Sequence, residues 1–158
     1  MRHAKSSWSD PWLDDHDRPL NPRGERSAAA MGDWLRRKGY LPALAISSTS
    51  LRTRQTLDGL QLDAQIQLEP ALYHARMDQM LDILRRQSAE PLLLLGHNPG
   101  IAMLAAGLLS SPPDHLRFAD FPTGATLVLD FDIKDWAEAE LGQGRCESFA
   151  IPREVMGA

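Results

Sequence analysis

The stretch PLLLLGHNPG, residues 91–100, indicates the architecture of the whole chain. Four consecutive leucines without polar alternation are typical of a strand that is covered on both faces of a sheet. Gly96 then permits a close backbone approach. His97 follows at the strand tip, before a helix in which we predict Asn98 as the cap and Pro99 as the first helical residue. A buried strand that passes into a helix predicts an α/β layer fold, in which ligands bind beyond the carboxyl ends of the strands.

The rest of the chain supplies helices and strands in alternation. The segment 22–38 has apolar residues at helical spacing, with Asn21 as its predicted N-cap and Gly39 as its stop. Further predicted helices are LRTRQTLDGL and MDQMLDILRRQ, and further predicted strands are ALAISS, ATLVLDF and CESFAI. This order predicts a three-layer sandwich with a mostly parallel central sheet flanked by helices, formed as one domain over residues 1–158.

Composition excludes several classes of function. The chain has 158 residues, of which 43% are hydrophobic, which is enough for one domain with a core. A net charge of −4 disfavours nucleic acid as a partner. No stretch reaches the roughly 20 apolar residues of a membrane span, so no membrane partner is expected. Cys146 is the single cysteine and cannot form an internal disulfide, which favours a cytoplasmic location; we expect it to be buried or half-buried.

Two strand exits carry polar side chains suited to an anion. His97 lies at one exit, and the second, ISSTSLRTRQT, places hydroxyls and Arg52 at a helix start. Arg52 and Arg54 cannot share a helix face, so at most one faces the exit. The alternative for His97 is an ordinary hydrogen-bonded loop histidine. The acidic run DDHD, residues 14–17, is interpreted as a solvated loop or, alternatively, as a run that selects against acidic partners. Trp8 and Trp12 are interpreted as packing residues or a rim of the site.

The opening residues MRHAKSSW complete this set of side chains. Alone, Arg2 and His3 would be a solvated tail, but together with Arg52 and His97 they indicate phosphoryl transfer. A neutral imidazole is a nucleophile, and guanidinium groups match the geometry of phosphate oxygens.

These motifs resemble those of the histidine phosphatases, the phosphoglycerate-mutase-like superfamily, and in particular its small SixA-type phosphohistidine phosphatases. RHAKSSW corresponds to the Arg-His-Gly motif with Ala4 in place of glycine, and SSTSLRTRQT to the Ser-Pro-x-x-Arg-x-x-Gln-Thr motif with Thr49 in place of proline. DRPLNPRG, GHNPG and the ending FAIPRE match as well, so the resemblance extends from residue 2 to about residue 154.

The resemblance implies a role for each matching residue. His3 would be the nucleophile that forms a phosphohistidine, Arg2 and Arg52 would hold the phosphoryl oxygens, and His97 would donate to the same oxygens. Arg18 and Ser6 would be further substrate-binding residues. No cofactor and no metal is implied, because arginine and histidine supply the positive charge.

The substrate is expected to be phosphohistidine on a protein, such as a histidine phosphorelay domain. Only residues 74–90 separate Tyr73 from Pro91, so the helical lid of larger relatives has no room, and an open site admits a side chain of another protein. The missing lid also removes the family's usual acid, for which Glu69 and Asp78 are candidates without further support. Two alternatives remain: a phosphoesterase for small phosphate monoesters, and a non-catalytic phosphate-binding protein.

A second departure concerns the first strand. In the family an apolar strand in the middle of the sheet runs directly into Arg-His, whereas here only Met1 precedes Arg2. We therefore expect either that the sequence begins at an internal methionine or that the first central strand is truncated, which would leave neighbouring backbone groups unpaired.

Overall fold

The computed structural model describes residues 1–157 and alternates strands with helices along most of the chain. The strands are β1 (Leu44–Ser47), β2 (Gln65–Leu68), β3 (Leu92–Leu95), β4 (Thr126–Asp130) and β5 (Arg145–Ala150). The helices are α1 (Pro22–Lys38), α2 (Leu51–Leu60), α3 (Met77–Arg85), α4 (Gly100–Leu108) and α5 (Pro152–Val155). Short 3₁₀ turns lie at Asp15–Asp17, Pro70–Leu72 and Trp136–Glu138.

The strands form a parallel sheet of order β2-β1-β3 and a separate antiparallel pair, β4-β5. β1 is flanked by both parallel neighbours, with Ala45 opposite Ile66 on β2 and opposite Leu93 on β3. All three carboxyl ends therefore reach the same edge, where the two predicted strand exits meet.

Residues 1–3 lie between β3 and β4 and join the two sheets. Arg2 bridges Gly96 in parallel, and its N–H donates to the Ala125 carbonyl at 3.0 Å. Below this bridge β3 and β4 are not paired, and an apolar cavity of about 790 Å³ separates them, lined by Met1, Leu93 and Leu127 among others. We call this cavity the inter-sheet groove. It lies at the position predicted for the first central strand, next to β3.

Side chains of β1 divide the core between the two faces of the sheet. Ala45 packs in a cluster with Met31 and Leu35 of α1 and with Leu57 of α2. Its neighbour Ile46 belongs to the cluster formed with α3 and α4. Since successive side chains of a strand point to opposite faces, helices cover both sides, which confirms the predicted three-layer arrangement.

Local signals explain the ends of α1 and α2. Asn21 accepts from the N–H of Gly24, and Gly39 ends α1 with φ of 74°. Ser50 caps α2 through the N–H of Thr53. Within residues 1–157 no helix is long and apolar enough to cross a bilayer.

Four local predictions differ from the structure. Asn98 does not cap α4; Pro99 occupies the cap position, and the Asn98 amide instead donates to the carbonyls of Asp120 and Phe121. β3 is only half-buried at residues 92–94, because the inter-sheet groove exposes it. Cys146 is exposed on β5. β2 was not predicted, because its mostly exposed sequence QIQL lacks a strong apolar signal.

Candidate active site

A cavity of about 330 Å³ lies at the carboxyl edge of the parallel sheet, and all six residues predicted for the site line it. These residues are Arg2, His3, Ser6, Arg18, Arg52 and His97. They come from the first segment of the chain, the loop before α1, the start of α2 and the exit of β3, so tertiary structure brings them together.

Hydrogen bonding defines which nitrogen of His3 is free. Nδ1 lies 2.7 Å from the Ala4 carbonyl oxygen, which can only accept, so Nδ1 carries the proton and Nε2 keeps its lone pair. Burial lowers the pKa of His3 to about 3; the bond to Ala4 opposes this shift, and the charges of Arg52, Arg2 and Arg18 add to it. His3 is therefore neutral at pH 7.

The backbone around His3 is held from both sides. The N–H of Ala4 donates to Thr56 Oγ1 at 3.0 Å, and the N–H of Gly124 donates to the His3 carbonyl at 2.9 Å. Thr56 is the last residue of the LRTRQT motif, so that motif positions the segment that carries His3 and also supplies Arg52.

Arg2 is fixed by the loop that precedes β4. Its Nη1 donates to the Phe121 carbonyl at 3.2 Å, and the Asn98 amide donates to the same carbonyl at 3.1 Å. Phe121 is fully buried with φ of 44°, a left-handed conformation that is uncommon outside glycine. Within residues 1–157 the Nε atoms of Arg2 and Arg52 are buried without a hydrogen-bond partner.

Arg52 and Arg54 point to different surroundings, as their spacing requires. Arg52 is 5% exposed and lines the cavity, where Nη2 lies 3.4 Å from Nδ1 of His97. Arg54 is exposed, and its Nε donates to the Thr49 carbonyl at 3.0 Å.

His97 is the second buried imidazole of the site, with its ring centroid 5.2 Å from that of His3. Since Arg52 can only donate, Nδ1 of His97 accepts and Nε2 carries the proton, which is donated to Ser48 Oγ at 2.8 Å. Burial, then the neighbouring His3 and Arg52, lower the pKa of His97 to about 3.

Arg18 approaches the cavity through Ser6. Its Nη1 donates to Ser6 Oγ at 2.8 Å, and its guanidinium carbon lies 3.6 Å from the ring centroid of Trp8. Ser6 thus orients Arg18, and Trp8 lines the cavity, whereas Trp12 is almost fully exposed.

Sequence reasoning missed the role of Asp15, which is part of the site and not of a merely solvated loop. The Asp15 carboxylate accepts from Arg18 Nε at 3.2 Å, from Arg52 Nη2 at 3.0 Å and from the Tyr73 hydroxyl at 2.5 Å. His16 anchors the same turn, because its Nε2 is 2.9 Å from Oγ1 of Thr49, the residue that replaces the family's proline. No sequence signal joins Asp15 to Tyr73, which is 58 residues away.

The two candidate acids lie elsewhere. Glu69 accepts from the N–H of Ala71 at the start of a 3₁₀ turn, and Asp78 pairs with Arg76 on the surface. Neither lines the cavity. Within residues 1–157 no group of three or more histidine, cysteine or acidic side chains has the arrangement of a metal site.

A family profile and two solved structures to which this chain is similar point to the same protein family. The profile of the histidine phosphatase superfamily (branch 1) matches residues 1–73. An uncharacterized protein of Mycobacterium tuberculosis is 37% identical over 97% of this chain and 100% of its own. Among solved structures, a proposed phosphohistidine phosphatase SixA from Nakamurella multipartitia is 31% identical, with a TM-score of 0.83 over 96% of this chain and 93% of that one. Its counterpart from Agrobacterium tumefaciens is 30% identical, with a TM-score of 0.81 over 96% and 95%.

Proposed function

This chain belongs to the histidine phosphatase superfamily, in its SixA-type branch, and we propose that it hydrolyses phosphohistidine on a protein through a covalent intermediate at His3. The observation that carries this proposal is the state of His3. Its imidazole is neutral, its Nδ1 proton is bound to Ala4, and its Nε2 lone pair is left for a phosphorus atom in a cavity with three arginines.

The first step forms a bond between Nε2 of His3 and phosphorus while the bond from phosphorus to the leaving group breaks. The leaving group departs with the bonding electron pair. The intermediate carries phosphate on Nε2 and keeps the proton on Nδ1, where the Ala4 carbonyl accepts it. In the second step water attacks phosphorus, and the electron pair returns to Nε2. The oxygen of the water stays on phosphorus, one of its protons passes to solvent, and the other leaves with inorganic phosphate. His3 is again neutral.

The arginines stabilise the phosphoryl oxygens in both steps. Arg2, Arg18 and Arg52 line one cavity, and charge-assisted hydrogen bonds from guanidinium groups are the strongest that a phosphoryl group receives from side chains. The unpartnered Nε atoms of Arg2 and Arg52 support this role, because a buried donor without an acceptor costs roughly 1–3 kcal/mol.

His97 donates to the cavity only when a phosphoryl group is bound. In this structure Nδ1 of His97 accepts from Arg52, and Nε2 donates to Ser48. A phosphoryl dianion favours the protonated imidazolium, whose Nδ1 proton then binds a phosphoryl oxygen in place of the contact with Arg52. His97 thereby adds positive charge when negative charge gathers on the phosphoryl oxygens.

The substrate class follows from the leaving group and the open mouth of the cavity. A phosphohistidine protonated on its other ring nitrogen releases neutral imidazole, whose conjugate acid has a pKa of about 6.5, whereas an alkoxide needs a proton donor. The carboxylates suggested for a donor, Glu69 and Asp78, do not reach the cavity. This favours a nitrogen leaving group on a protein over a small phosphate monoester.

The test compares a protein domain phosphorylated on histidine with p-nitrophenyl phosphate, using wild type and His3→Ala. We expect faster turnover of the phosphoprotein, unchanged by a strong chelator, and loss of more than about a thousandfold in His3→Ala. Acid-labile, base-stable phosphate on His3 after rapid quenching would identify the intermediate. Faster turnover of the small ester would favour the phosphoesterase, loss on chelation would refute the metal-free reaction, and phosphate binding without turnover would favour a binding protein.

A further inference from the structure

Asp15 places a fixed negative charge beside the phosphoryl cavity. Its carboxylate contacts Arg18, Arg52 and Tyr73, and its backbone carbonyl accepts from Nη1 of Arg52 at 2.6 Å. Partial burial raises the pKa of Asp15, but the hydrogen bonds from Tyr73 and Arg52, with the charge of Arg52, outweigh that effect and hold the pKa well below its usual range. Asp15 is therefore ionised whenever the enzyme is folded near neutral pH.

The Asp15 carboxylate sets the net charge of the cavity, as a count of its charged groups shows. Arg2, Arg18 and Arg52 bring three positive charges to the cavity, while His3 and His97 are neutral at pH 7. One phosphoryl dianion and one ionised Asp15 together carry three negative charges. Before substrate binds, the three arginines and the ionised Asp15 leave the cavity with two net positive charges, which one phosphoryl dianion neutralises; without Asp15 a third positive charge would be left for a second anionic group.

Asp15 lies on the side of the cavity where the leaving group would be, so its negative charge acts on that group. His3 is 6% exposed at the bottom of the cavity, whereas the Asp15 side chain is 44% exposed at its mouth. A leaving group opposite His3 points toward the mouth, because attack and departure are roughly in line. Lys5 also borders the cavity and is exposed, as Asp15 is, but within residues 1–157 its ammonium group pairs with no side chain of the site, whereas Arg18, Arg52 and Tyr73 hold the Asp15 carboxylate in place.

We propose that Asp15 is a specificity-determining residue that restricts the site to substrates with one phosphoryl group and no second anionic group on the leaving group. The inference rests on the proposed phosphatase function and narrows its substrate class. Imidazole on a protein satisfies the restriction, whereas phosphorylated small carboxylic acids and bisphosphates do not.

The experiment uses two phosphate monoesters of matched shape, those of 4-hydroxybenzamide and 4-hydroxybenzoate, which differ by one negative charge. We measure the ratio of kcat/KM, amide over carboxylate, for wild type, Asp15→Asn and Asp14→Asn. Asp14 is the matched control, because it lies in the same turn and its side chain makes no capping hydrogen bond. In wild type the amide should be preferred, and the preference should shrink as salt is added.

Asp15→Asn should reduce the ratio by at least about threefold, the size expected for two unit charges about 7 Å apart in water-like surroundings. Asp14→Asn should change it by less than half as much. If Asp15→Asn acted only by displacing the arginines, kcat/KM would fall equally for both esters. An amide-to-carboxylate ratio that stays at the wild-type value in Asp15→Asn would therefore overturn the proposal. If wild type binds the esters but turns over neither, the ratio of their dissociation constants, measured by calorimetry, tests Asp15, while turnover of the histidine-phosphorylated domain tests the phosphatase function separately. Absence of both ester binding and phosphoprotein turnover would overturn both.

Discussion

Arg52 and Arg54 are two residues apart, but they have different surroundings and should differ in their effect on activity when replaced by alanine. Arg52 is buried in the cavity between Asp15 and His97, and Arg54 is exposed at the surface of α2. We expect Arg52→Ala to lower kcat/KM at least about tenfold, because one charge-assisted contact to the phosphoryl group is worth roughly 1.5–3 kcal/mol. Arg54→Ala serves as the control and should change kcat/KM less than about twofold. A larger loss at Arg54 would show that the register of α2 used for the site is wrong.

The buried histidines make stability depend on pH. The pKa values of His3 and His97 are lowered to about 3, chiefly by burial, while the unfolded chain binds these protons near pH 6.5. Between these values the unfolded state holds more protons, so the free energy of unfolding falls as pH is lowered from about 6.5 toward 3. Each histidine contributes up to about 1.4 kcal/mol per pH unit.

Urea unfolding at several pH values checks this dependence. His97→Gln, which keeps a polar side chain that does not titrate, should flatten the slope between pH 6.5 and 4 relative to wild type. His115→Gln is the control, since His115 pairs with Glu154 near the carboxyl terminus, away from the cavity. Equal slopes in wild type and His97→Gln would contradict the buried neutral imidazole.

At the scale of elements, α1 lies in close contact with the backbone of the segment that carries His3 and Ser6. A Cβ atom on Gly24 would lie 2.0 Å from the Lys5 carbonyl oxygen, the same carbonyl that accepts from the N–H of Asn21. Gly24→Ala must therefore separate α1 from residues 4–6 or move them. We expect a loss of roughly 1–3 kcal/mol in the free energy of unfolding, with a further fall in kcat/KM as His3 and Ser6 shift.

Gly107→Ala is the matched control for this helix glycine. Its added Cβ would meet only the side chains of Met77 and Leu141, at 3.0 and 3.4 Å, and flexible side chains move more easily than backbone. Gly107→Ala should leave kcat/KM unchanged and alter stability much less than Gly24→Ala. If Gly24→Ala melts at the wild-type temperature with full activity, α1 does not position the site in this way.

Elements whose ends are encoded locally were predictable from the sequence. Asn21 and Gly39 act within three or four residues of themselves, so their patterns predicted both ends of α1 correctly. Asn98 does not follow the same rule: its amide nitrogen donates to two carbonyls in the loop before β4, and its Oδ1, the atom that would accept from a helix N–H, has no partner within residues 1–157. Asp15 and Tyr73 were missed for the same physical reason: their partners are distant along the chain and close only after folding.

For the whole molecule, the inter-sheet groove separates two sheets that could otherwise be continuous. β3 and β4 flank the groove without pairing to each other, and residues 1–3 join them only at the upper end. The N–H of Arg2 donates to Ala125 on one side, and the N–H of His3 donates to Gly96 on the other. An extended segment continuing backward from Met1 would run parallel to β3 and antiparallel to β4. It would unite the two sheets into one.

We therefore predict that five apolar, β-branched residues fused directly before Met1 raise both stability and activity. Each buried side chain contributes about 1.5–3 kcal/mol, against roughly 1–2 kcal/mol of backbone entropy per ordered residue. The new strand also pairs backbone groups of β3 and β4. The net gain of a few kcal/mol should raise Tm by at least about 5 °C for a chain of this size.

The matched control is a five-residue extension of glycine and serine, which has the same length but cannot fill an apolar groove. Activity should rise with the apolar extension because Arg2 and His3 would then continue a fixed central strand, which holds the nucleophile against Arg52 and His97. Thermal melting and kcat/KM are compared for the three proteins. If the apolar and the glycine-serine extensions give the same Tm and the same kcat/KM, the groove does not accept a strand, and the two sheets are stable as separate units.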